Sequence, residues 1–212
     1  MKKALFLTIM FSLSLMAEFH AKIYNIAPKL KEKMINGNSW HRGCPVDIVD
    51  LRYLRLNYIN FQGEERVGEL IVHESVADDV VNIMRELYEI GYPVNQMRLV
   101  SDFGGNDWKS IEADNTSAFN CRKATGSKKW SKHSYGKAID INPIENPYIS
   151  RRGHISHKAS QKYRKRRHRD NSMADRAVLL KNDEATKIFE SYGFSWGGDW
   201  RYTKDYQHFS KK

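Results

Sequence analysis

Two short stretches of this chain concentrate residue types able to do chemistry. The first is Ser131-Lys-His-Ser-Tyr-Gly-Lys-Ala-Ile-Asp-Ile-Asn142; the second is Trp196-Gly-Gly-Asp-Trp200, followed by Asp205-Tyr-Gln-His208-Phe209. His133 and Asp140 stand seven residues apart, roughly 23 Å in an extended strand, so they can share one metal ion only if the chain reverses between them. Gly136 sits where that reversal is needed. Ala138, Ile139 and Ile141 make Asp140 part of an apolar, strand-like segment, where a carboxylate needs a partner. Two partners are open at this point: a metal ion, or a nearby lysine or arginine.

His208 offers a third ligand. A His, Asp, His set leaves one position of a tetrahedral zinc ion open to water, which is the pattern of a catalytic rather than a structural site. Asp205, three residues before His208, is placed to reach that water without binding the metal and is the candidate general base. The density of aromatic and glycine residues over 196–200 is typical of a walled site. Trp196 and Trp200 either wall a groove or fill core, and Gly197 and Gly198 imply a close approach of backbone. His154 and His157 lack acidic neighbours in sequence and read as surface histidines, and His73, at the end of an expected strand, reads as structural.

These motifs resemble a known family, the zinc-dependent D-alanyl-D-alanine carboxypeptidases and L-alanyl-D-glutamate endopeptidases of bacteria and their phages, structural relatives of the hedgehog signalling domain. The family's Ser-x-His-x-x-Gly-x-Ala-x-Asp pattern is present as Ser131, His133, Gly136, Ala138 and Asp140, and its terminal acid-x-x-His pattern as Asp205 and His208. A looser resemblance runs from Gly43-Cys-Pro45 through Asn115–Arg122 to Phe209. It implies a Zn2+ ion held by His133, Asp140 and His208, hydrolysis of a peptidoglycan stem peptide with Asp205 moving the proton, and Arg122 holding a substrate carboxylate or the developing oxyanion. The alternative for Arg122 is a plain ion pair with Asp102 or Asp107. Ser131 and Trp196 are expected to contribute to substrate binding. An aspartate at 205 and the Trp-Gly-Gly-Asp-Trp segment point to the endopeptidase branch, whereas much of the family acts as carboxypeptidases. A rival from another class is a non-catalytic, zinc-stabilised module that only binds cell wall.

The elements that must position these residues read as an α+β domain, a small antiparallel sheet flanked by helices, as in the hedgehog and peptidase relatives. Leu54, Leu56 and Tyr58 alternate with Arg55 and Asn57 over a strand at 52–58, and residues 69–73 form a second strand behind a turn at Gly63. Ser75 is placed to cap a helix bearing Val76, Val80, Ile83, Leu87 and Ile90, which Gly91 and Pro93 stop. A short strand over 97–100 and a long loop around Gly104–Asp107 follow. A C-terminal helix begins at Asn182 or Asp183, carries Ile188, Phe189 and Tyr192, and ends at Gly193.

The chain has 212 residues, 41% of them hydrophobic, enough for one domain with a real core. Met1-Lys-Lys3 before the apolar run 4–16 reads as a secretory leader over residues 1–17, too short for a comfortable membrane span. A lead segment then covers 18–42 and the zinc peptidase domain 43–212. The expected location is periplasmic or secreted, with no integral membrane span after the leader is removed. An oxidising compartment permits Cys44 and Cys121 to pair, although sequence does not bring their Cα atoms within bridging distance, and two separate buried thiols stay open. The formal charge of +10 falls to +8 without the leader's two lysines, which suits anionic cell-wall polymers and does not by itself call for nucleic acid. Much of that charge lies in an insertion at about 151–170, read either as a solvated, mobile excursion or as a binding face for an anionic polymer.

Overall fold

The apolar alternation of residues 52–58 does produce a strand, and the hairpin it begins organises the N-terminal half of the molecule. The computed structural model describes residues 18–212, so the expected leader lies outside the described residues. The lead segment supplies β1 (Ala21–Asn25) and α1 (Pro28–Asn36), and the hairpin joins β2 (Leu51–Ile59) to β3 (Glu65–His73), giving an antiparallel sheet of order β1-β2-β3. β1 is mostly exposed, so no hydrophobic pattern announces it; backbone pairing with β2 holds it in place. Asn57, expected on the solvent face, is buried for the same reason: its Nδ2 donates to the Glu18 carbonyl (2.9 Å) and its Oδ1 accepts from the His20 amide (2.7 Å).

One face of this sheet packs Leu54, Leu56 and Leu70 against Val80, Ile83 and Leu87 of α2 (Ala77–Glu89). Ser75 is not the cap of this helix. The chain enters through a single 3-10 turn at Glu74–Val76, and the His73 Nδ1 accepts from the Ser75 amide at 3.1 Å. The expected strand at 97–100 shrinks to β4 (Gln96–Met97), because Val100 opens a 3-10 turn. The expected loop holds a helix, α3 (Asp107–Glu112), capped by Asn106, whose Oδ1 accepts from the Lys109 amide at 3.0 Å. β5 (Asn115–Thr116) then pairs in parallel with β4.

The C-terminal half builds a second antiparallel sheet where a single small one was expected. It comprises β6 (Ala138–Asp140), β7 (Tyr148–Ile149), α4 (Met173–Arg176), α5 (Glu184–Ser191), β8 (Ser195–Trp196), β9 (Lys204–Asp205) and β10 (His208–Ser210), with a sheet of order β6-β10-β8 and a separate pair β7-β9. Successive side chains of a strand point to opposite faces. Ile139 and Phe209, paired across β6 and β10, therefore enter the core, where Phe209 stacks on Phe189 of α5 at 3.9 Å between ring centroids. Asp140 and His208, paired one position along, face the other way.

The basic insertion is tied down rather than a free excursion. Ile155 and Tyr163 are buried, and the Arg166 guanidinium donates to the Glu145 carbonyl (2.5 Å), Asn146 Oδ1 (2.6 Å) and the Leu179 carbonyl (2.8 Å) while lying 4.4 Å from the Tyr206 ring. Asp175 accepts from the amides of Arg169 and Asn171, closing the far end. A disulfide joins Cys44 to Cys121 across 77 residues with Cα atoms 5.8 Å apart, linking the segment after α1 to the stretch beside Arg122. Closing a loop of that length restricts the unfolded chain by about 4 kcal/mol on the entropic account.

Beneath the insertion, the buried carboxyls of Asp114 and Glu145 adjoin each other, with Tyr163 beside Glu145. Burial, then the charge of Asp114, pushes Glu145 up to about 9 from its ordinary 4.5. The folded chain thus holds a proton that the unfolded chain has lost between those values, so stability falls as pH rises through that window. Glu145→Gln, which keeps a donor toward Asp114, is expected to match wild type in thermal unfolding near pH 5 and to melt higher than wild type near pH 8.5. Parallel melting curves across the range would refute this assignment.

Candidate active site

The reversal between His133 and Asp140 is built from a capped 3-10 turn and a left-handed glycine. Ser131 Oγ accepts from the His133 amide (3.4 Å) at the start of the turn Lys132–Tyr135, and Gly136 closes it at φ +66°. The Gly136 carbonyl accepts from the His73 amide at 2.8 Å, and a Cβ on Gly136 would lie 2.5 Å from that same nitrogen. Only glycine meets both demands. The turn returns the chain into β6, and pairing with β10 brings His208 opposite Asp140.

The three side chains converge. His133 Nε2 lies 3.2 Å from Asp140 Oδ2 and 3.2 Å from His208 Nδ1, which is 3.0 Å from Asp140 Oδ1. Ligands about 2 Å from a tetrahedral zinc sit roughly 3.3 Å from one another, so these separations suit a single ion at their centre. His133 Nδ1, 2.6 Å from the Ala118 carbonyl, is the donor nitrogen there, which turns the lone pair of Nε2 toward the other two groups. Gln207 Nε2 lies 3.3 Å from Asp140 Oδ2 and steadies the carboxylate from the side. The lysine or arginine partner left open for Asp140 is not found among the described residues: its ion-pair partners are His133 and His208 alone. The donor set, two imidazoles and one carboxylate, thus fits zinc.

Electrostatics separate the two buried carboxylates. Burial would raise Asp140, but the charges and hydrogen bonds of His133 and His208 outweigh it and hold Asp140 well below the usual range. His133 moves the opposite way: burial lowers it, and Asp140 more than restores it. Asp205 is pushed well above the carboxylate range, first by burial and then by the negative charge of Asp140. Its Oδ1 is shielded from solvent and has no hydrogen-bond partner among the described residues. β9 presents it through pairing with β7, and Gly197 permits the approach, since a Cβ there would meet the Asp205 carbonyl oxygen at 2.5 Å.

Three expected substrate contacts stand differently. Arg122 pairs with Asp107 at 2.8 Å, while Asp102 is taken by Lys33 and Arg98; the Nε of Arg122 is buried without a partner. Ser131 is buried and spends its hydroxyl capping the turn, so it positions His133 rather than meeting a ligand. Trp196 is core: 4% exposed, it donates from Nε1 to the Tyr206 carbonyl (2.8 Å) and packs on Phe209. Trp200, half-exposed with its ring 5.5 Å from that of His208, is the tryptophan beside the site. His157 stacks on Trp108 at 3.8 Å, and neither it nor His154 joins a metal-binding group among the described residues. Ala118 and Gln207, which brace the ligands, carried no sequence signal, because a backbone carbonyl and a neutral amide acquire that role only from the fold.

Gly136→Ala tests the reversal. It is expected to cost about 2 kcal/mol in urea unfolding and to weaken zinc binding at least about tenfold, because a left-handed alanine also collides with the His73 amide. Wild-type stability together with wild-type zinc affinity would show that the turn is not what sets the ligand geometry.

Residues 125–211 match the family model described as D-alanyl-D-alanine carboxypeptidase. The match covers less than half of the chain, yet it holds both ligand motifs and Asp205, while Cys44, Cys121 and Arg122 precede it. No curated protein and no solved structure gives a significant match. Over residues 125–211 the chain is thus similar to the D-alanyl-D-alanine carboxypeptidase family, the family its motifs resemble.

Proposed function

We propose that this protein is a zinc peptidase that hydrolyses a peptide bond of peptidoglycan stem peptides, acting in the periplasm or outside the cell. The observation that carries the reading is the convergence of His133 Nε2, Asp140 and His208 Nδ1 on one point beside a buried carboxyl group, Asp205, whose Oδ1 has no hydrogen-bond partner among the described residues. The family match, which spans both motifs, supports a peptidase. The disulfide agrees with an oxidising compartment, and no helix among the described residues is long and apolar enough to cross a membrane.

His133, Asp140 and His208 would hold the ion, which when bound supplies Lewis acidity toward the scissile carbonyl and toward water. Asp205 takes a proton from the attacking water and delivers it to the leaving amine nitrogen, so base and acid are one carboxyl used twice. Its elevated proton affinity suits the second half of that cycle, and a cation placed next to Asp140 would favour the ionised form needed for the first. Arg122, already charged and anchored by Asp107, offers its guanidinium to a substrate carboxylate or to the carbonyl oxygen as it gains charge.

Digestion of purified peptidoglycan, with products read by mass spectrometry, tests this reading and identifies the bond. Loss of a terminal D-alanine marks a carboxypeptidase; separation of L-alanine from D-glutamate marks an endopeptidase. Chelation should abolish either activity, and Asp205→Asn should lower kcat by about 10²-fold or more with zinc content unchanged. Zinc binding without cleavage under any condition would leave a cell-wall binding module in place of an enzyme.

A further inference from the structure

Arg151 and Arg201 flank one exposed tyrosine, Tyr202, three residues before Asp205. The Cζ of each lies 5.2 Å from the Tyr202 ring centroid, so the two guanidinium groups lie within twice that distance of each other. Tyr202 is 61% exposed, and among the described residues neither arginine has a carboxylate within ion-pair distance. Other arginines are spent within the fold: Arg122 is paired with Asp107, Arg52 with Glu74, and Arg166 with carbonyls. Two like charges gathered on one ring repel unless an anion comes between them.

The platform has a fixed relation to the proposed catalytic carboxyl. β7 and β9 pair Tyr148 with Asp205 and Ile149 with Lys204; just beyond that pair one chain turns at 150–153 and the other bends at 201–203, and these two bends carry Arg151 and Tyr202. Three residues separate Tyr202 from Asp205, so the platform's backbone lies no more than about 10 Å from that of Asp205. Exposed Tyr148 is paired with Asp205, and exposed Trp200 has its ring 5.5 Å from that of His208. An extended peptide held at the site would carry a side group to the platform after about three residues.

The geometry points to a subsite in which Arg151 and Arg201, held on Tyr202, bind a carboxylate of the substrate about three residues from the hydrolysed bond. Guanidinium forks match carboxylates bidentately, and stacking on an aromatic ring fixes their planes beforehand. The inference rests on the peptidase reading and narrows its substrate to a stem peptide that keeps its internal carboxylates free.

The test uses the zinc-loaded full chain, the double variant Arg151→Gln/Arg201→Gln, and two synthetic stem peptides, one with free internal carboxylates and one with these converted to amides. Both substitutions are on exposed side chains and leave the core untouched. The wild type is expected to favour the free-carboxylate peptide about tenfold or more in kcat/KM, chiefly through KM, and the double variant to turn over both peptides with similar kcat/KM. Calorimetric affinities for the same peptides, measured in an Asp205→Asn background with and without the arginine substitutions, should show the same loss of preference. A preference that survives in the double variant, in rate or in affinity, overturns the subsite. If the wild type cleaves neither peptide but carboxylate-dependent binding disappears with the two arginines, the subsite stands and the hydrolytic reading falls.

Discussion

The arrangement of this protein depends on a two-residue register, the antiparallel pairing that sets His208 opposite Asp140 and Phe209 opposite Ile139. Because strand side chains alternate, one register decides two things at once. It sends Phe209 and Ile139 into the core, where full burial of each contributes about 2–3 kcal/mol, and it turns Asp140 and His208 toward His133. A slip by one residue would bury the ligands in hydrocarbon and expose the aromatic ring. The apolar core thus enforces the ligand geometry, and an ion at the centre would in turn reinforce the register.

The remaining contacts act on that register from the sides. Ser117 brackets Asp140 with two backbone hydrogen bonds, and the following residues tie to β3 through Phe119 and to the turn through Asn120. The disulfide then fixes Cys121 next to Arg122, so the arginine facing the site is positioned by a covalent link as well as by Asp107. Asp205 arrives separately, on β9, and reaches the site because β7 pairs with it and Gly197 leaves room. Asp140 and Asp205 therefore sit on different strand pairs, which lets their environments push the two buried carboxylates in opposite directions.

Much of this was legible in the residues themselves, where chemistry and local geometry coincide. His133, Gly136 and Asp140 announce a reversal because nothing else lets ligands seven residues apart meet, and Asp205 and His208 share one short motif. The β2–β3 hairpin and α2 follow from strong apolar periodicity. Features set by long-range contacts were not legible. β1 is a mostly exposed strand placed by pairing with β2 and by contacts of Ala21 and Tyr24, and Ser131 and Trp196 carry family-like positions yet are consumed by a cap and by the core. The basic insertion reads as solvated because charge dominates its composition; its anchor, Arg166, finds its carbonyl partners only once residues 145, 146 and 179 come together.

In the proposed site one zinc ion is held by two imidazoles, through Nε2 of His133 and Nδ1 of His208, and by the Asp140 carboxylate. Zinc K-edge absorption of the protein loaded with one equivalent tests it directly. A four-coordinate shell of nitrogen and oxygen near 2.0–2.1 Å is expected, with two imidazole scattering patterns and no sulfur, converting to one imidazole in His133→Ala. A shell containing sulfur near 2.3 Å, or a zinc environment unchanged by that substitution, would place the metal elsewhere and contradict it.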